Sequence, residues 1–167
     1  ATEGSDTFSL SGVTLTGSGT LVVRVEDAAG NTGTETQQIF TLDTTVAQSV
    51  LSLANDSVTT DGITNDGTVN VGGVEDGATW SYRVNGGNWT TGVGSSFVVG
   101  GADGEKTVEV RVTDIAGNVS TSSMSFTLDT TVAQSVLSLA NDSVTTDGIT
   151  NDGTVNVGGV EDGATWS

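Results

Sequence analysis

A block of 42 residues is written twice in this chain: FTLDTTVAQSVLSLANDSVTTDGITNDGTVNVGGVEDGATWS occupies 40–81 and, without one substitution, 126–167. Asp43 and Asp129 mark a period of 86 residues. Self-similarity at a fixed period is the mark of a modular array. This period is too long for one coil of a solenoid and suits a small independent β domain. Perfect identity points to duplication of a whole module. A catalytic pocket does not call for that, whereas a spacer works by having many modules.

Between the turns the chain reads as strand. Thr107–Val112 alternates apolar and polar residues, and so does Met124–Leu128. Trp80, Tyr82 and Val84 share one face of another segment, Val69 and Val71 line a fourth, and Phe97–Val99 gives a fifth. Asp61-Gly62, Asp66-Gly67, Asp76-Gly77, Asn85-Gly86 and Asp103-Gly104 punctuate them with turn chemistry. No segment holds a helical period. The expected fold is all-β: tandem antiparallel two-sheet sandwich modules. Strands are expected near 46–53, 68–74, 78–84, 95–99, 106–113 and 119–128.

One module, 43–128, is complete. Residues 1–42 read as the back half of a divergent preceding copy, because Leu21–Asn31 parallels Val108–Asn118. Residues 129–167 read as the front half of a third. A half sandwich exposes an apolar face and a sheet edge. The two halves are complementary types, so one expectation is a head-to-tail filament in which adjacent chains complete a sandwich. The plainer expectation is a window on a longer array.

Composition narrows the chemistry. The chain has 167 residues, no Cys, no His, no Pro, four Lys+Arg and a formal charge of −17. That removes thiol nucleophiles, imidazole bases and the usual zinc or haem ligands, so no enzyme is expected. Nucleic acid is disfavoured, because phosphate binding needs cations. No apolar run approaches the ~18 residues that span a bilayer, so no membrane insertion is expected.

The acidity is concentrated where a hard cation would want it. Asn55-Asp56, Asp61-Gly62 and Asn65-Asp66 fall in one 12-residue loop after the first strand of the module. The third copy repeats them as Asp142, Asp147 and Asp152. Asp43 and Asp129 mark the junctions. Asp27 with Asn31, and Asp114 with Asn118, occupy matching DAAGN and DIAGN loops. Ca²⁺ takes six to eight oxygens from carboxylates, amides and carbonyls. Three Asp within eleven residues, with no nearby cation, would repel one another without it. The acidic loop can return to the pole where the preceding module arrives, and no EF-hand Glu is present. The plainer reading is that these Asp make Asx-turns and a soluble surface.

Trp80 is expected in the core. Trp89, near a hairpin, is expected to pack on the sheet edge, with a carbohydrate contact as the alternative. Asn55, Asn88 and Asn118 each head a weak glycosylation pattern. Glu75 and Asp76, read as neighbours on a strand, would face opposite sides and offer no acid/base pair.

At the DTT junction, the DAAGN/DIAGN loops, the DGITNDGTVNV run and the EDGATWSY strand, the chain resembles the bacterial Ig-like repeats of giant adhesins secreted through type I systems. The resemblance implies an extracellular or cell-surface extender, stiffened by Ca²⁺ at module junctions. It implies Asp43 and Asp129 (junction) and Asp27 and Asp114 (loop) as ligands. Its partners would be neighbouring modules, with a surface target bound elsewhere. Family junctions often carry Pro after the DTT-like segment; this chain has Val46 and Ala47, so stiffness would rest more on the ion.

Overall fold

The structure, a computed structural model, describes residues 14–56, 61–142, 147–165 and 167. Residues 1–13, in the segment expected to be a half module, part of each acidic loop (57–60 and 143–146) and Trp166 lie outside the described residues. The strands are β1 (Gly19–Val23), β2 (Thr36–Phe40), β3 (Val50–Leu53), β4 (Ile63–Thr64), β5 (Thr68–Gly72), β6 (Thr79–Val84), β7 (Thr90–Thr91), β8 (Ser96–Val98), β9 (Gly104–Thr113), β10 (Val119–Leu128), β11 (Val136–Leu139) and β12 (Val155–Gly158).

The all-β expectation holds. β3–β10 form a sandwich of a five-stranded sheet, ordered β4-β10-β9-β6-β7, and a three-stranded sheet, ordered β3-β5-β8. Neighbours are antiparallel except β4, which pairs in parallel with the last two residues of β10. β4 and β7 are two-residue strands that the periodicity did not announce. The turn between β6 and β7 has Asn85 at φ 50° and Gly86 at φ 70°, the primed geometry that Asn-Gly favours in hairpins.

The period-2 pattern builds the core. Val108, Val110 and Val112 on β9 are fully buried, while on the other face Thr107 and Arg111 are exposed and Glu109 is half-buried. They meet Val69 and Val71 of β5 and Phe97 of β8, with Trp80, Phe126 and Leu128 closing the layer. Each such side chain contributes about 1.5–3 kcal/mol. Tyr82 stacks on Phe97 at 4.0 Å, and the Trp80 indole N–H donates to the Gly94 carbonyl at 3.1 Å. Trp80 is a core residue, as expected.

The first expected strand is shorter than 46–53. Residues 46–49 lie beside the start of β10, crossing from one sheet to the other, and side chains replace the ladder. Ser120 Oγ donates to the Ala47 carbonyl (3.0 Å), Gln48 Nε2 to that of Thr121 (3.2 Å), and Ser122 Oγ to that of Ser49 (2.6 Å). The constant offset of 73 residues makes the two segments parallel. Outside the sandwich, β1/β2 and β11/β12 are two-stranded antiparallel sheets with mostly exposed side chains.

Candidate functional site at the module junctions

The middle module has two poles. The chain arrives at Asp43–Thr45, beside the DIAGN loop: Asn118 Nδ2 donates to the carbonyls of Asp43 (3.1 Å) and Thr45 (3.5 Å). It leaves at Asp129, beside the acidic loop: Thr127 N donates to the Gly62 carbonyl (2.8 Å), and Asp129 N to that of Thr64 (2.9 Å). This corrects one expectation. The acidic loop does not return to the incoming pole, because β3 carries the chain across the module and β4 fixes it to the far end of β10. The last hairpin loop occupies the incoming pole instead.

At the incoming pole, Asp114 Oδ1 accepts from Asn118 N at 2.7 Å and Oδ2 from Asn118 Nδ2 at 2.8 Å. Burial pushes the Asp114 carboxyl up, but the Asn118, Gly117 and Ala116 bonds outweigh it and the net shift is downward. The divergent copy builds the same loop. Asp27 accepts from Asn31 N (2.8 Å), Asn31 Nδ2 (2.8 Å) and Ala29 N (2.9 Å), and those bonds, the Asn31 side chain's first, lower its carboxyl. Gly30 and Gly117 both adopt positive φ, 85° and 92°. Glu75 Oε1 accepts from Ala47 N at 2.7 Å. Glu75 and Asp76 lie at a turn between β5 and β6, as the expected strand bounds 68–74 and 78–84 allow, so the alternation of a strand does not set their directions.

At the outgoing pole, Thr64 is the hub. It is buried, and its Oγ1 lies 2.5 Å from the Asn55 carbonyl, 3.1 Å from that of Asp66 and 3.0 Å from Asp66 N. Asp66 Oδ1 accepts from Thr68 Oγ1 (2.6 Å) and Thr68 N (3.0 Å), which hold its carboxyl below the usual range. Asp61 Oδ1 accepts from Ile63 N at 3.0 Å. Asp56 Oδ2 accepts from Gly62 N at 3.3 Å, while its Oδ1 is buried with no hydrogen-bond partner among the described residues. The third copy repeats this. Asp142 Oδ2 takes Gly148 N, its Oδ1 is likewise orphaned, Asp147 takes Ile149 N, Thr150 Oγ1 contacts the Asn141 carbonyl, and Asp152 takes Thr154 N.

The linker itself is clamped. Asp103 Oδ1 accepts from Thr130 Oγ1 (2.7 Å) and Thr130 N (3.0 Å), and Oδ2 from Thr131 Oγ1 (2.9 Å). These bonds, Thr130's first, lower its carboxyl. Asp43 and Asp129 cap their own Thr-Thr turns through Thr45 N (3.1 Å) and Thr131 N (3.3 Å). On the far side, Glu161 Oε1 accepts from Ala133 N at 2.6 Å, repeating the Glu75 bond. A cleft of about 350 Å³ lies between the modules, lined by Asp61, Thr64, Asn65 and Asp129 on one side and Glu161, Asp162 and Gly163 on the other.

The structure therefore gathers Asp61 and Asp129 at one pole and Asp43 with Asp114 and Asn118 at the other. Among the described residues no three carboxylates converge as a metal cage. Asp27, Asp66, Asp114 and Asp152 use their oxygens within their own loops. Asp103 and Glu161 are junction residues that the sequence did not single out, and Glu75 was considered there only as half of an acid/base pair; Asp103-Gly104 read only as a turn, and its Thr partners are 27 and 28 residues away. Asn118 has its amide committed to three acceptors, which leaves its glycosylation pattern idle. Trp89 is half-buried, with the guanidinium carbons of Arg83 and Arg111 at 4.8 and 4.6 Å from its ring centroid.

Two packed antiparallel sheets of short strands, with a core Trp and tandem repetition, define an immunoglobulin-like sandwich module. Residues 45–130 match the family described as bacterial Ig-like domain, and the chain belongs to that family. Comparison with curated proteins returns no match. Such domains are typically non-catalytic and often form part of extracellular or surface proteins. No helix among the described residues is long and apolar enough to cross a membrane.

Proposed function

We propose that this chain is an extender segment of a bacterial surface adhesin, secreted by a type I route, whose modules are stiffened by Ca²⁺ at their acidic poles. The observation that carries the reading is the orphaned oxygen. Asp56 Oδ1 and Asp142 Oδ1 are buried and, among the described residues, unpartnered at the same position of two copies. An unpaired anionic oxygen is costly to bury, and a hard cation with carbonyl and amide oxygens around it removes that cost. The donor set fits in kind: Asp56 and Asp142 would hold the ion with oxygens of Asp61 and Asp147 or of the loop backbone. The junction cleft, lined by Asp61, Asp129, Glu161 and Asp162, adds negative charge nearby without bringing three carboxylates close enough to hold an ion. The bound ion supplies charge neutralisation, and the Asp103 clamp holds the linker while it does so.

The test is sedimentation velocity and thermal melting of the 167-residue chain, with calcium and then with excess chelator at matched ionic strength. A ligand at a hundredfold excess over its Kd adds about 2.7 kcal/mol, so calcium is expected to raise Tm by several degrees and to give a uniform elongated monomer. Asp56→Asn is expected to remove part of that gain. A Tm indifferent to chelator would sink the calcium reading.

A further inference from the structure

We propose that the outer face of the five-stranded sheet binds a carboxylated saccharide, a uronate-type sugar, through Arg111 held against Trp89. The chain is strongly acidic, yet Arg111 is exposed and, among the described residues, makes no ion pair. Its neighbours differ. Lys106 is buried, with Nζ 2.5 Å from the Ala102 carbonyl, and Arg83 is held by both Glu109 oxygens at 2.6 and 2.9 Å. Arg111 has only the indole, 4.6 Å from its Cζ. A guanidinium fixed by an aromatic ring keeps its planar fork of donors for an incoming carboxylate.

The surroundings fit a sugar. Thr91, Ser81, Arg111 and Thr121 stand in one cross-strand row over β7, β6, β9 and β10. Ser123 flanks Glu109 in a neighbouring row. A cation in a lawn of hydroxyls offers a charged anchor with donors and acceptors for ring hydroxyls. The acidic loops of a second copy fit less well, since Asp27, Asp66, Asp114 and Asp152 already accept bonds inside their own loops and Asp103 accepts them from the linker. Asp114, three residues beyond Arg111, stands on the order of 10 Å away along the strand, beyond the Debye length of about 8 Å at physiological salt.

The test follows the Trp89 indole N–H resonance in the full chain while a short hyaluronan oligosaccharide is titrated in at constant calcium. Saturable shifts are expected, with affinity falling at least tenfold in Arg111→Gln. Thr121→Glu, which sets a carboxylate across the ladder from Arg111, is expected to abolish binding while leaving the core methyl spectrum intact. Equal binding by a chitin oligosaccharide of the same length would overturn carboxylate recognition. Equal binding by free glucuronate would overturn the oligosaccharide part. Tighter binding by oligoglutamate would make the face a protein-docking surface and overturn the sugar. Unchanged affinity in both variants would remove the site.

Discussion

Residues 40–81 and 126–167 are one sequence in two surroundings, and the difference separates what is local from what is not. The loop is local. Asp66 with Thr68 and Asp152 with Thr154 make the same bonds, and both carboxyls are lowered for the same cause. Asp56 and Asp142 strand the same oxygen. Burial is not local. Val69 is fully buried, while its counterpart Val155 is 53% exposed. β6 forms at 79–84, yet no strand is found at 165 or 167. Within residues 1–167 it is the first copy that is joined by β8, β9 and β10, which supply the opposing layer and the ladder partners. An Asx-turn is written in a few residues; a core is written in residues far along the chain.

Hydrogen exchange gives the widest separation. The Val71 amide, which donates to the Ser95 carbonyl at 2.8 Å, is expected to exchange through global opening of the module. The Val157 amide is expected to exchange faster by orders of magnitude, through local opening. Equal protection would mean that the third copy finds a second layer. Next comes Gly67→Ala against Gly153→Ala. A Cβ at Gly67 would sit 2.0 Å from the Val99 carbonyl oxygen, and at Gly153 it would meet nothing within 4 Å. Denaturant melts are expected to show a loss on the order of 3 kcal/mol for the first and almost none for the second. Val69→Ala against Val155→Ala is expected to cost about 2 kcal/mol in the closed core and a few tenths at the exposed position.

The smallest expected effect is with pH. Asp66, Asp103, Asp114 and Asp152 all have folded pKa values below the ordinary 3.8. A depressed carboxylate contributes stability that is present above its unfolded pKa and lost as pH falls through the folded one. Stability is therefore expected to be flat above about pH 5 and to decline in acid. Carboxyl NMR titration is expected to give Asp66 and Asp152 matching midpoints despite their different modules. A divergence would show that the loop does sense the core.

This division also explains what could be read beforehand. The period-2 segments Thr107–Val112 and Met124–Leu128 announce strands because burial alternates at every residue. Trp80 is legible for the same reason. The poles were not. Which end of the module the acidic loop reaches depends on β4 joining the end of β10, a pairing of two residues with no periodicity to carry it. Asp103 is silent because its partners follow 27 and 28 residues later. The candidate ion ligands were visible as clustered Asp, but most of them turned out to be bonded to their own backbone, which composition does not distinguish from readiness to bind a cation.

The parallel run of 46–49 beside the start of β10 has a mechanical meaning. The chain arrives at one pole and leaves at the other, so tension along an array pulls residues 43–49 one way and β10 the opposite way. The bonds from Ser120, Gln48 and Ser122 lie across that pull. They are loaded together, in shear, and cannot be peeled one at a time. The same serines that let the chain change sheets thus act as the module's grip against being drawn out.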